Sequence, residues 1–234
     1  MSTELSGPTR THFEVIREAL QLAGARVVDV GCGAGALSRR LAGAGAEVIG
    51  VDPSQEAIAR AQSAAGPHER YLLGRAEALP LPAEAADIVT FLNSLHHVSP
   101  AALMQALAET ARVLRPRGVL YVQEPLTQGR YFNVVRLVED ETDVRAAAQQ
   151  ALKDCASVGL RLQAELEYDA LVRHRDFDAF RDTVVLASGD RAGAFAAHAR
   201  EIEARFRAAA ERDERGYRFR QPTRVTVLHP MAGG

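Results

Sequence analysis

The residues best suited to chemistry lie in one run, Val27-Val-Asp29-Val-Gly31-Cys-Gly33-Ala-Gly35. Glycine is needed where a backbone takes positive φ or lets a ligand approach the main chain closely. A helix beginning just after such a bend offers unpaired N–H groups, so the guest should carry a carboxylate or a phosphate. Two guests compete. Gly31-x-Gly33-x-x-Ala36 satisfies the loose dinucleotide pattern G-x-G-x-x-G/A. Asp29 points elsewhere, because an acid repels a pyrophosphate and attracts an ammonium or a sulfonium. The run favours a cationic, amino-acid-bearing nucleoside, with a dinucleotide as the alternative. Asp52 follows at close to the ~20-residue offset of an acid that binds ribose hydroxyls. Its carboxylate can accept both O–H groups of a cis-diol; the competing role is a helix cap.

Three further residues are candidates for catalysis. His96 and His97 titrate near neutral pH, as a general base must. Adjacent histidines in a turn point different ways, so at most one should face an acceptor. The competing role for each is a bond to the backbone of the turn. Glu124 directly follows an apolar run and precedes Pro125. It would orient a substrate hydroxyl or amine, or else stand solvated in a loop. The other histidines (His12, His68, His174, His198 and His229) are scattered, so no metal site is expected. Cys32 and Cys155 read as small core residues, with no disulfide framework.

These residues need a scaffold to position them. Arg26–Val30, Glu47–Val51, Arg70–Leu73, Asp87–Phe91 and Val119–Gln123 read as strands. Helical patterns lie between them, with Ser54 as an N-cap and Ser99-Pro100 as a helix start. Leu103, Leu107, Thr110 and Leu114 form the apolar side of the last of these helices. Such alternation calls for a parallel sheet with right-handed crossovers. Thr11–Leu22 reads as a helix before the first strand. After Glu124, residues 126–142 show no clear period. Asp143–Val158 is helical, Leu160–Leu171 extended, and Phe177–Leu186 helical. Phe195, Ala199, Ile202, Phe206 and Ala209 mark an amphipathic helix, and Tyr217–Leu228 is extended.

The 234 residues carry 28 basic and 30 acidic side chains, a net charge of −2. A nucleic-acid binder would normally carry a basic excess, so none is expected as a partner. No apolar run approaches the ~20 residues that span a bilayer, and no signal peptide is visible. These features predict a cytoplasmic protein with no membrane partner; oligomeric state is not predicted.

Five segments together resemble the class I S-adenosylmethionine-dependent methyltransferases, in particular the small-molecule branch containing the ubiquinone- and menaquinone-biosynthesis enzymes. They are Val27–Gly35, Val48–Asp52, Gly74–Pro80, Asp87–Val98 and Ala111–Gly118, in order over about residues 25–124. The resemblance implies an α/β, Rossmann-like fold. Its seven-stranded, mostly parallel sheet has helices on both faces and an antiparallel last strand, and a small helical cap covers about 125–158. One domain, 1–234, is implied, with a cofactor-binding core over about 25–124 and the cap and remaining strands over about 125–234. S-adenosyl-L-methionine would be the cofactor, S-adenosyl-L-homocysteine the product, and a small molecule the methyl acceptor.

By the same resemblance, Asp29, Gly31, Gly33, Gly35 and Asp52 hold the cofactor. Pro53 packs on the adenine, Ala76 and Glu77 lie along its edge, and a carbonyl near Leu92 or Asn93 meets the amino group. Tyr131, Phe132 and Arg136 fall in the lid. Arg75 departs from the pattern, because family members often carry Asp or Asn there and Arg has only donors. The alternatives are a non-catalytic S-adenosylmethionine-binding module and an NAD(P)-dependent Rossmann oxidoreductase.

Overall fold

The computed structural model describes residues 8–186 and 191–231. Helix α1 (His12–Ala19) precedes a regular alternation: β1 (Arg26–Val30), α2 (Ala36–Gly43), β2 (Glu47–Asp52), α3 (Gln55–Ser63), β3 (Glu69–Leu73), β4 (Ala86–Leu92), α4 (Leu103–Val113) and β5 (Leu114–Pro125). Then follow α5 (Arg130–Val135), α6 (Thr142–Lys153), β6 (Leu160–His174), α7 (Phe177–Leu186), α8 (Arg191–Ala209), β7 (Glu211–Asp213) and β8 (Gly216–Pro230).

The sheet order is β3-β2-β1-β4-β5-β8-β6, with β7 added antiparallel to β8. Strands β1 to β5 pair in parallel. The fold is the expected α/β, Rossmann-like one. The chain moves outward from β1 to β3 and then returns to β4 on the other side of β1. That reversal is a topological switch point, where such sheets bind ligands beyond the carboxyl ends of their strands. Val27, Val28 and Val30 are all buried, as a central parallel strand covered on both faces requires.

The chain divides into two compact units. The sheet unit comprises residues 13–124 and 146–166 and the chain from 224 onward. Its core includes Val28, Phe91, Leu107, Leu120, Ala148 and Leu228. The helical unit comprises 125–145, most of 167–223 and the segment ending at His12. Val134, Phe180, Phe195, Ile202, Phe206 and Phe219 form its core. Strands β6 and β8 each run from one unit's residues into the other's.

Several elements differ from the sequence reading. Ser54 caps α3 as expected, its Oγ accepting from Ala57 N at 3.2 Å, but Ser99 makes no side-chain cap. Pro100–Ala102 is a 3₁₀ turn and α4 starts at Leu103. Leu114 opens β5 and does not belong to the helix: its backbone is already extended, with φ at −69° and ψ at 140°. Within 126–142, α5 spans only six residues, too few to show a period. The segment 125–158 does not stay together as a cap: Ala148, Ala151, Leu152 and Cys155 join the core of the sheet unit. From Phe13 onward, α1 also belongs to the sheet unit. Helix α6 stops at Lys153, and a 3₁₀ turn (Cys155–Val158) leads to Gly159. Strand β7 went unread because it has only three residues. Among the described residues no helix is long and apolar enough to cross a membrane.

Candidate active site

Strand register brings the candidate residues to one edge of the sheet unit. Asp29 is level with Gly50 on β2 and with Thr90 on β4, and Leu92 is level with Gln123 on β5. The glycine bend leaves β1 beside the ends of its neighbours. Gly31, Gly33 and Gly35 all have positive φ, of 74°, 53° and 78°, which L side chains reach only at a cost. A Cβ on Gly31 would lie 2.4 Å from Ser94 Cβ, and one on Gly35 would lie 2.4 Å from the Tyr71 hydroxyl. Gly33 differs, since nothing stands within 4 Å of where its Cβ would be. Gly31 and Gly35 are thus glycine for the protein's own packing, and Gly33 is the part of the bend that a ligand can approach.

Most of the bend's amides already have acceptors. Gly31 and Cys32 donate to Val51 O at 2.8 and 3.2 Å, Gly33 to Asp52 Oδ2 at 2.9 Å, and Gly35 to Cys32 O at 2.9 Å. A diphosphate cradle needs such donors pointing outward, and here they point inward.

Asp29 is only 1% exposed. The Ser38 hydroxyl donates to one oxygen at 2.6 Å and the Thr90 hydroxyl to the other at 3.1 Å. Burial raises its pKa to about 6, the two hydroxyls opposing the rise and Asp52 adding to it. Burial beside these acids also pushes the Cys32 thiol up, so Cys32 is no nucleophile. Asp52 is half-buried at the end of β2 and accepts from Ser54 N at 2.9 Å as well as from Gly33. Pro53 beside it is exposed.

The other side of the site is built on Ser94. Its hydroxyl donates to Val30 O at 2.7 Å, and its N–H donates to Glu124 Oε1 at 3.1 Å. Leu95 N donates to the same oxygen at 2.7 Å, and His96 Nδ1 donates to Oε2. Glu124 and His96 are both buried, whereas His97 is exposed, its ring 4.1 Å from that of His96. Asn93 has a φ of 51° and donates its N–H to Gln123 O at 2.8 Å. The Asn93 Oδ1 atom is buried with no hydrogen-bond partner, an acceptor at the end of β4 that a ligand's N–H or O–H would satisfy. Ala76 is buried. Glu77 is held below the usual carboxylate range by a hydrogen bond from Arg75 Nε at 2.6 Å.

Residues 28–122 match the family model described as a methyltransferase domain. This segment is a class I methyltransferase domain. The domain is 42% identical over 107 residues to an uncharacterized methyltransferase of Mycobacterium tuberculosis, covering 46% of this chain and 42% of that protein. It is 38% identical over 109 residues to a ubiquinone biosynthesis O-methyltransferase of Rhizobium rhizogenes, covering 45% and 43%. The chain therefore spans less than half the length of these curated relatives. The crystal structure of YcgJ from Bacillus subtilis shares the fold, with a TM-score of 0.66 at 22% identity over 94% of this chain and 98% of that one.

The structure gathers Asp29, Gly31, Gly33, Gly35 and Asp52 of the methyltransferase domain at the β1 and β2 ends, and brings Asn93, His96 and, just beyond the domain, Glu124 around Ser94. Sequence reading missed Ser94, Ser38 and Thr90. Ser94 lies between the candidates Asn93 and His96 but carries no chemistry of its own. Ser38 and Thr90 are far from Asp29 in sequence and find it only through folding.

Proposed function

We propose that this protein is an S-adenosylmethionine-dependent methyltransferase acting on a small molecule by in-line displacement. One observation carries the reading: the glycine bend spends its amides internally above a buried carboxylate. A diphosphate arriving there meets few donors and a repelling charge, whereas a cation meets a charge it can stabilise. When bound, S-adenosylmethionine supplies a methyl group activated by its sulfonium. The open bend at Gly33, with Gly31 and Gly35 shaping it, would take the amino-acid part, and Asp29 would act on it through its field. Asp52 would accept the ribose hydroxyls. Pro53, Ala76 and Glu77 would border the adenine, and Leu92 and Asn93 would offer acceptors to the amino group.

The chain's own work is then alignment and proton handling. Holding a nucleophile ~3–3.5 Å from the carbon can supply about 7–11 kcal/mol. Glu124 locks the His96 ring in one orientation, with Nδ1 as donor and therefore Nε2 as the acceptor of the neutral ring. His97, exposed against that ring, would take a proton from an acceptor that must lose one. The Rhizobium relative is named as an O-methyltransferase, so hydroxyl compounds are the first acceptors to screen. Near-neutral charge argues against nucleic acid, and two buried free thiols suit the reducing cytoplasm.

The Arg75–Glu77 pair favours a second reading, a cofactor-binding module without turnover, because it ties up the acid nearest the adenine edge. Calorimetry with S-adenosylhomocysteine and NAD(H), followed by a labelled-methyl screen of phenols and other hydroxyl compounds, tests both readings. S-adenosylhomocysteine should bind and NAD(H) should not. Tighter binding of NAD(H) overturns the proposal, and cofactor binding with no transfer across the screen favours the module.

A further inference from the structure

Strand β6 closes one edge of the sheet. Between buried Leu160 and buried Tyr168, every residue from Arg161 to Glu167 is exposed. Natural edge strands are usually short, charged, bulged, proline-bearing or covered, because a long flat edge recruits another strand; the charges here, Arg161, Glu165 and Glu167, are of both signs. This stretch has no proline, no glycine and two exposed leucines, Leu162 at 52% and Leu166 at 45%. Among the described residues its continuation is bridged at Ala170, by Arg10. The stretch Arg161–Glu167 lies before that bridge.

The sequence of the exposed stretch, Arg161-Leu-Gln-Ala164-Glu-Leu-Glu167, is complementary to itself when reversed. An antiparallel pairing centred on Ala164 sets Arg161 opposite the partner's Glu167 and Leu162 opposite the partner's Leu166. Gln163 then faces the partner's Glu165. Each pair occurs twice about the axis. Opposite charges and apolar pairs are the combinations that stabilise an antiparallel ladder, and a two-fold contact of this kind closes on itself and does not grow. A shallow apolar groove lies alongside, lined by Val15 and Ala19 of α1, Ala164 and Leu166 of β6, and Val225 and Val227 of β8. It extends the apolar strip that Leu162 of the partner subunit would join.

We propose that β6 pairs with β6 of a second copy, so that the sheet continues across a symmetric dimer. The contact would use the whole exposed stretch and leave the carboxyl-end site of each copy untouched.

Sedimentation velocity over about a hundredfold range of concentration tests this. The full chain should sediment as a dimer at the upper end. Arg161→Glu, which sets like charges opposite each other twice, should raise the dimer dissociation constant about tenfold or more. Leu162→Lys should do the same. The exchange Arg161→Glu with Glu167→Arg should restore dimerisation, which a general surface effect would not. Arg161 and Leu162 are exposed, so the single substitutions there should leave circular dichroism and S-adenosylhomocysteine binding unchanged. A monomer throughout the range, a dimer indifferent to these variants, or no rescue by the exchange overturns the proposal.

Discussion

His96 donates its Nδ1 hydrogen to Glu124, and the other oxygen of Glu124 is held by the N–H groups of Ser94 and Leu95. Three donors from the turn after β4 thus converge on one buried carboxylate at the end of β5. An amide replaces it only if the His96 ring changes tautomer, because its NH₂ would otherwise face a donor on one side or the other. Glu124→Gln should therefore cost about 2–4 kcal/mol of stability. Urea denaturation measures this; a loss below about 0.5 kcal/mol, the level of an ordinary surface change, would show that the cluster does not hold the turn.

Asp29 should set a pH dependence with a definite sign. Its folded pKa of about 6 lies above its ordinary 3.8. The folded state therefore binds a proton more readily than the unfolded chain, and stability falls as pH rises from about 4 to about 6. Above that range the cost is fully present, on the order of 3 kcal/mol. Asp29→Asn should raise the melting temperature of the ligand-free protein at pH 7.5 and do little at pH 4. A cationic ligand stabilises the charged form, so its affinity should weaken as pH drops below about 6 in the native protein only. Equal melting shifts at both pH values would contradict the assignment.

The glycines of the bend should separate under substitution. Gly31→Ala meets Ser94 Cβ at 2.4 Å with φ at 74°, so it should give little soluble folded protein. Gly33→Ala meets nothing within 4 Å and pays only for its positive φ, about 1–2 kcal/mol. It should fold and yet bind S-adenosylhomocysteine at least tenfold more weakly. Unchanged affinity in folded Gly33→Ala would mean that the ligand does not approach there.

Asp52 should matter for binding more than for folding. It is half-buried and accepts two backbone N–H groups. Asp52→Asn keeps one acceptor and should bind more weakly than the native protein, and Asp52→Ala should bind more weakly still, by about tenfold or more. Equal affinities for all three, read from thermal shift against ligand concentration, would remove it from the ribose site.

The helical unit has its own acid limit. His174 is buried among Tyr131, Phe180, Phe206 and Phe219, and the Tyr131 hydroxyl lies 3.0 Å from its Nε2. Desolvation lowers its pKa from 6.5 to about 4. The unfolded chain takes up this proton first, so the stability is complete above pH 6.5 and drains away as pH falls toward 4. Near-UV circular dichroism should show tyrosine signals fading over that window. His174→Gln should show a flatter response; an identical profile would place the acid limit elsewhere.

The methyltransferase domain over residues 28–122 was already legible in short stretches. Val27–Gly35 holds apolar residues, an acid and three glycines at fixed spacing, and local rules suffice to read it as strand, bend and helix. Asp52 at the end of the next apolar run, and the regular alternation up to Glu124, follow from the same rules. The partners of those residues were not readable, because a side chain's neighbours are set by strand order. Asp29 meets Ser38 and Thr90 only once α2 packs on the sheet and β4 lies beside β1. Glu124 reads either as an acid that orients a substrate or as a solvated loop acid, yet it is buried because β5 carries it under the turn after β4. Ser94 has no signature of its own and becomes the joint of three strand ends. The helices after Glu124 were legible where they were long, as in α8, but not which unit each would join. Local pattern determines what each segment can be, while the burial and pairing of its polar groups depend on residues far along the chain, which only the packed sheet brings into contact.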